Sequence, residues 1–288
     1  MLYLSGFTFP DKEREFDFHL YQRRTCYDTF YPFGVLSARE LAELTFEPVT
    51  ILCGGNGSGK TTALNVMGEK LGLKRDTLYN RSNFFERYTD LCSYDLKSRI
   101  PPNSRVITSD DVFDYMLNLR GINQGVDLKR EEIFEEYLEN KHAPFQLKSL
   151  DDYEQLKKVN QARHTTQSRY TRANLRANAP EQSNGESAFF YFTNKIGENG
   201  LYLLDEPENS LSPQRQLDLV KFMEDSVRFF GCQFVIATHS PFVLSMRGAK
   251  IYDLSGDPVR VCRWTKKPAL PARQWSRSAS ALLNFTAS

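Results

Sequence analysis

The stretch Gly54-Gly55-Asn56-Gly57-Ser58-Gly59-Lys60-Thr61 constrains this chain more than any other. It fits the pattern G-x-x-x-x-G-K-[ST] at every fixed position. Its flanks fit as well. Pro48 to Cys53 is a short apolar run suited to a buried strand. Thr62 to Leu71 reads as a helix, with Ala63, Leu64, Met67 and Leu71 at helical spacing and Gly72 as its stop. A strand, a glycine turn and a helix N-terminus together trap anions, because backbone N–H groups point inward and the helix dipole adds partial positive charge. Gly54, Asn56, Gly57, Ser58, Gly59, Lys60, Thr61 and Thr62 are therefore the expected phosphate contacts. Lys60 would hold the outer phosphates and the Thr61 hydroxyl would ligate magnesium. A glycine-rich turn that binds nothing is the competing account, and two correct flanks weigh against it.

The rest of the composition sets limits. The chain has 288 residues, 40% hydrophobic and 25% charged, ordinary for a chain that buries a core. Its 37 basic and 36 acidic residues leave a net charge of +1, so no global electrostatic case for nucleic acid or membrane survives. Cys26, Cys53, Cys92, Cys232 and Cys262 show no C-x-x-C spacing, which points to reduced, packed thiols in a cytoplasmic protein, not to a disulfide frame or a zinc site. No signal peptide is read at the N-terminus, and no apolar run approaches the ~18 residues of a membrane span. Direct membrane insertion is not expected.

Along the chain, residues 1–47 read mainly as β. Leu2 to Leu4, Phe7 to Phe9 and Phe16 to Leu20 alternate with polar residues, and Ala38 to Leu44 suggests a short helix. Tyr3, Tyr21, Tyr31 and Phe33 are candidates to stack on a base, though each is first a core aromatic. Residues 73–105 carry no clear pattern until a strand at Arg105 to Thr108. Val112 to Leu119 and Lys129 to Asn140 read as separate amphipathic helices, and Leu150 to about Arg176 as another helical region. Lys157, Lys158, Arg163, Arg169, Arg172 and Arg176 fall in that last region without an acid between them. A solvated helix face is the usual account of such a run, and a phosphate-facing surface is the alternative. Buried strands return at Leu201 to Leu204 and Gln233 to Ala237, with a helix from Ser212 to Phe230 between them and terminal strands near 249–254 and 258–261. Strands alternating with helices predict a largely parallel sheet, with ligands at its carboxyl ends.

Four elements narrow the chemistry. Asp205 ends an apolar strand, where a carboxylate can help hold magnesium opposite Thr61, and Glu206 follows, placed to polarise a water. Two adjacent carboxylates repel, and a metal offsets that cost. Ser183-Asn184-Gly185-Glu186-Ser187 opens a helix and is a second candidate phosphate cradle. His239 ends the next strand, within reach of a terminal phosphate.

In this order, the phosphate loop, the serine-glycine signature, Leu203-Leu204-Asp205-Glu206-Pro207 and Thr238-His239-Ser240 resemble the ABC-type ATPases. The resemblance spans about Val49 to Ser255. It implies an α/β P-loop NTPase core with a mostly parallel sheet, an N-terminal antiparallel β subdomain and an inserted helical lobe. It implies ATP and Mg2+, a head-to-tail homodimer with two ATP molecules between the copies, Glu206 as catalytic glutamate, His239 as switch histidine and Lys60 at the phosphates. Each loop would meet Ser183, Asn184, Gly185 and Glu186 of the other copy. Asn209 to Ser212 matches the dimer-communicating loop. Glu186 and the run Asp205-Glu206-Pro207-Glu208 are similar to SMC-like, RecF and overcoming-lysogeny-defect proteins more than to transporters. Ser109, Asp110 or Asp111 stands where the family has a magnesium-contacting glutamine.

The expected layout is one domain over 1–264, with a core lobe at 1–118 and 200–264, a helical lobe at 119–199 and a poorly ordered tail at 265–288. The expected function is an ATP-driven switch for an effector protein, in anti-phage defence or regulation. A DNA-binding repair ATPase and the ATP-binding subunit of a transporter are the alternatives.

Overall fold

The protein is seen in a computed structural model that describes residues 1–22, 26–27, 29–142, 153–175, 183–256 and 258–262, with backbone only at 153–156. It divides into two compact units, Met1–Ser109 with the chain from Phe192, and Asp110–Tyr191. The elements in order are β1 (Leu4–Thr8), α1 (Lys12–Tyr21), a 3-10 turn (Ser37–Arg39), β2 (Glu43–Thr45), β3 (Val49–Cys53), α2 (Lys60–Lys70), α3 (Phe85–Leu91), β4 (Ser93–Leu96) and β5 (Arg105–Thr108). Helices α4 (Ser109–His142), α5 (Tyr153–His164), α6 (Gln167–Asn174) and α7 (Asn184–Lys195) follow. Then come β6 (Leu201–Asp205), α8 (Pro213–Phe229), β7 (Gln233–Thr238), α9 (Pro241–Leu244), β8 (Lys250–Asp253) and β9 (Arg260–Cys262).

The first unit holds both sheets. The larger runs β5-β6-β7-β3-β8-β9, parallel throughout except for the β8–β9 pair. Every residue of β3, β6 and β7 is buried, as expected of parallel strands covered on both faces. The smaller sheet, β2-β1-β4, is antiparallel. A core of Leu4, Phe7, Leu44, Leu52, Leu64, Met67, Phe85, Leu203 and Val235 joins the two sheets to α2 and α3. Gln233, fully buried, ties β7 to β1: its Oε1 accepts from the Tyr3 and Leu4 N–H groups at 2.8 and 2.9 Å, and its Nε2 donates to the Leu4 carbonyl at 2.8 Å. A buried amide is tolerated there because backbone groups satisfy it.

Register levels the strand ends. Cys53 pairs with Thr238, Asp205 with Ala237 and Thr108 with Asp205. The phosphate loop, Glu206, His239 and Ser109 therefore leave one edge of the sheet side by side, at the carboxyl ends where open α/β sheets bind ligands.

Three local expectations give way. Phe16 to Leu20 is helical, not strand, because Pro10-Asp11 starts a helix: the Asp11 carboxylate caps the Arg14 N–H at 2.9 Å, and Glu13 and Glu15 lie in the favourable first turn. Five alternating residues could not outweigh that cap. Ala38 to Leu44 splits into the 3-10 turn and β2, because β1 takes Glu43–Thr45 as an antiparallel partner. The two helices expected at 112–119 and 129–140 are one helix, α4. Gly121 and Gly125 lie within it without breaking it, each costing about 1 kcal/mol relative to alanine. Residues 73–105, unplaced from sequence, supply α3 and β4.

In the second unit Ile133, Tyr137, Ala162 and Tyr170 form a small core, with Leu175 packed on it. The helical region expected from Leu150 breaks at Thr165-Thr166 into α5 and α6. Within the basic run, Lys158 pairs with Glu136 at 2.6 Å, while Arg163, Arg169 and Arg172 are exposed. Arg176 and the tail from 265 lie outside the described residues.

Candidate active site

The phosphate loop leaves β3 at Cys53 and turns into α2 through Gly59, whose φ of 91° is left-handed. Gly57 shares that region at 75°. Only glycine enters it without strain, which accounts for both positions. Gly54 is required for a different reason: a Cβ there would lie 2.5 Å from the Ser58 hydroxyl. Ser58 Oγ is buried and has no hydrogen-bond partner among the described residues. An orphaned hydroxyl beside left-handed glycines at a helix N-terminus suits a phosphate oxygen.

Lys60 is 4% exposed and folds back over the loop. Its ammonium donates to the Gly54 and Gly55 carbonyls at 3.0 and 3.1 Å and lies 3.9 Å from Glu206 Oε1. An incoming phosphate would replace those carbonyls as the partner of the charge. Thr61 Oγ1 donates to Asp205 Oδ1 at 3.2 Å, so the hydroxyl and the carboxylate expected at magnesium meet across β3 and β6. Burial pushes the Asp205 carboxyl up to about 6, the Thr61 hydrogen bond opposes that rise, and neighbouring Glu206 adds to it. A buried carboxylate whose charge is penalised by burial, beside a hydroxyl ligand, is a donor set that fits a small divalent cation.

Glu206 has φ 47°, strained for a residue with a side chain. Its N–H donates to the Ala237 carbonyl at 2.8 Å, which fixes it to the end of β7, and Asn209 Nδ2 donates to its Oε2 at 3.1 Å. His239 Nδ1 lies 3.5 Å from Glu206 Oε1 and 3.5 Å from Glu208 Oε1. Thus Lys60, Thr61, Asp205, Glu206 and His239, far apart in sequence, converge on one edge of the sheet.

The serine-glycine turn belongs to the second unit. Helix α7 starts at Asn184, and Ser183 and Glu186 form a reciprocal cap: the Glu186 N–H meets Ser183 Oγ and the Ser183 N–H meets Glu186 Oε2, each at 3.3 Å. Arg120 donates to Asn184 Oδ1 at 2.8 Å. Ser183, Asn184 and Glu186 are exposed.

Of the four aromatics considered for base stacking, Tyr3 and Phe33 are buried in the core, Phe33 against Phe18 at 4.2 Å. Tyr21 is exposed on α1. Tyr31 donates to Thr62 Oγ1 at 3.2 Å and so lies at the first turn of α2. Ser109, partly exposed, directly follows Thr108, the register partner of Asp205, while Asp111 is buried and Asp110 exposed.

Sequence reasoning overlooked two groupings. Glu208, taken only as part of a motif, is buried and accepts three hydrogen bonds from the Thr238–Ser240 loop. The sheet order also brings Cys53, Asp253 and Cys262 within 4.8 Å of one another, although their spacing carries no sign of it. All five cysteines are unbridged.

Residues 184–244 match the family described as AAA ATPase domain. No curated protein matches the chain. Among solved structures, the chain is similar to a dimeric ATP-binding cassette in a post-hydrolysis state bound to ADP and phosphate, at 15% identity over 77% of this chain and 88% of that one, with a TM-score of 0.39. It is also similar to an Smc head domain from Pyrococcus furiosus bound to the C-terminal domain of ScpA, at 13% identity over 83% and 95% of the two chains, with a TM-score of 0.40. A nucleotide-free cassette from an ABC transporter matches at 16% identity over 77% and 83%, with a TM-score of 0.38. No helix among the described residues is long and apolar enough to cross a membrane. The family match covers the turn from Asn184, the acidic strand end and the histidine loop, and the phosphate loop leaves the same sheet edge beside the last two, so an ATPase-domain match and a mostly parallel α/β sheet with the phosphate loop at its carboxyl edge stand together in this chain.

Proposed function

We propose that this protein binds ATP with magnesium and hydrolyses it between two copies arranged head to tail, and that the closing and opening of this pair acts as a switch on a partner protein. The observation that carries the reading is the meeting of Thr61 and Asp205 at 3.2 Å, with Lys60 and Glu206 3.9 Å apart beside them. The loop N–H groups and Lys60 would bind and orient the β- and γ-phosphates. Thr61 and Asp205 would hold magnesium, which supplies neutralisation of charge on the phosphate oxygens. Glu206 would accept a hydrogen bond from the attacking water and take its proton, and its strained backbone fixes the direction from which it does so. His239 would report the terminal phosphate to the loops around it. The exposed turn at Ser183–Glu186 would complete the site of a second copy, where its helix N-terminus adds a further set of N–H donors.

Glu206→Gln keeps the shape of the side chain and removes the base. It should lower the rate of ATP hydrolysis about 10²- to 10⁴-fold, the usual worth of general-base catalysis, with ATP affinity unchanged. Steady-state phosphate release checks this. A variant that turns over at the wild-type rate would remove Glu206 from the chemistry.

A further inference from the structure

We infer that Glu208 is a positioning residue for His239, clamping the loop that carries the histidine to the turn that carries Glu206. One carboxylate oxygen, Oε1, accepts from Thr238 Oγ1 at 2.5 Å, from the His239 N–H at 3.0 Å and from the Ser240 N–H at 3.1 Å. Thr238 and Ser240 are buried, and Glu208 is 5% exposed. The clamp is doubled. Ser240 Oγ donates to Gln216 Oε1 at 2.7 Å, and Gln216 Nε2 donates to the Leu211 carbonyl at 3.1 Å, so the loop is also tied to the end of the turn at 206–211. Within that turn the Asn209 N–H meets the Glu206 carbonyl and the Leu211 N–H meets the Glu208 carbonyl, each at 3.0 Å.

The consequence is directional. The His239 backbone is fixed from one side, its Nδ1 is held 3.5 Å from both Glu206 and Glu208, and the rest of its ring is half exposed. The imidazole therefore presents its other edge outward, while the two carboxylates fix the edge that faces in. Burying a carboxylate is costly, and Glu208 Oε2 has no hydrogen-bond partner among the described residues. An apolar side chain would fill the space more cheaply, so the buried acceptor is explained by the three donors that Oε1 holds. The inward acceptor draws three donors onto one strand-end loop, which a strand-to-helix connection does not otherwise need.

This inference rests on the reading of His239 as a group that faces the terminal phosphate. Its test compares Glu208→Ala, Glu208→Gln, His239→Ala and the double variant Glu208→Ala/His239→Ala. Turnover and ATP affinity are measured separately. Releasing the loop should lower kcat about 10- to 100-fold in Glu208→Ala, as expected for a misplaced group near the chemistry, with ATP affinity within about twofold. Glu208→Gln keeps an acceptor oxygen at the same reach and should stay within about threefold of wild type. The double variant should be no slower than His239→Ala, because the two residues act as one unit. A Glu208→Ala turnover within about twofold of wild type, or additive losses in the double variant, would overturn the inference. Where Glu208→Ala does not fold, Glu208→Asp takes its place, since a carboxylate withdrawn by one methylene cannot reach all three donors. If the wild-type protein turns over no ATP, the hydrolysis reading itself has failed. The clamp is then read from the His239 ring signals by NMR, which Glu208→Ala should move and Glu208→Gln should not; unmoved signals in Glu208→Ala overturn it.

Discussion

Two helix N-termini in this protein are suited to face phosphate, and they are built in different ways. The start of α2 hangs from the end of β3, a strand buried over its whole length; Lys60 bonds back onto its own loop, and Thr61 ties the helix to Asp205 at the end of β6. The start of α7 is exposed and is capped by residues three apart. The first is a site fixed by the core of its own chain. The second is shaped locally and offered outward. In the proposed shared site a single chain would complete the first half and offer the second to another copy, and each half should fail in its own way when disturbed.

The largest effect should come from the core beneath the first. Leu52→Ala empties a fully buried position one residue short of the end of β3, and it should lower global stability by about 2–5 kcal/mol with an unchanged denaturant slope. Urea unfolding checks this, and a loss under 1 kcal/mol would mean that the loop is not held by the core as described.

Asp205 gives a pH-dependent effect of about 3 kcal/mol at most. Its carboxyl is raised to about 6 in the folded protein, above its ordinary value of 3.8. The folded state therefore binds the proton more tightly than the unfolded state does. The stabilisation this provides is full below about pH 4 and is lost as pH rises through 6. Without nucleotide or magnesium, Asp205→Asn should lack that decline and be more stable than wild type at pH 7.5, while the two converge in acid. Unfolding curves at both pH values decide it, and equal declines in the two proteins would remove Asp205 as the cause.

The smallest effect belongs to the second helix start. Ser183→Ala removes a cap worth about 1 kcal/mol and should leave the binding of ATP to a single copy within about twofold. If Ser183→Ala weakened that binding as much as loss of Lys60 does, the contrast between the two helix starts would collapse.

Much of the first site was legible because buried strands and fixed glycine positions leave few alternatives. The apolar runs at 49–53, 201–204 and 233–237 became β3, β6 and β7, and the residues that end them lie side by side at one edge of the sheet. What escaped reading depended on contacts distant in sequence. The helix at Phe16 to Leu20 was hidden because five alternating residues look like a strand until the Asp11 cap is weighed. Glu208 was hidden because nothing in the sequence shows that its carboxylate turns inward toward a loop thirty residues on. The break between α5 and α6 and the continuity of α4 through two glycines likewise leave no mark in the apolar periodicity.

The central claim is that the loop of one copy and the serine-glycine turn of another share ATP. The direct measurement is the mass in solution of Glu206→Gln, with and without ATP and magnesium, alongside the same protein carrying Ser183→Arg. The account predicts that Glu206→Gln has the mass of one 33.3 kDa chain alone and twice that mass with ATP and magnesium, and that Ser183→Arg keeps it single while ATP still binds. A Glu206→Gln protein that binds ATP and remains a single chain, or one that pairs equally well with Ser183→Arg, would contradict it.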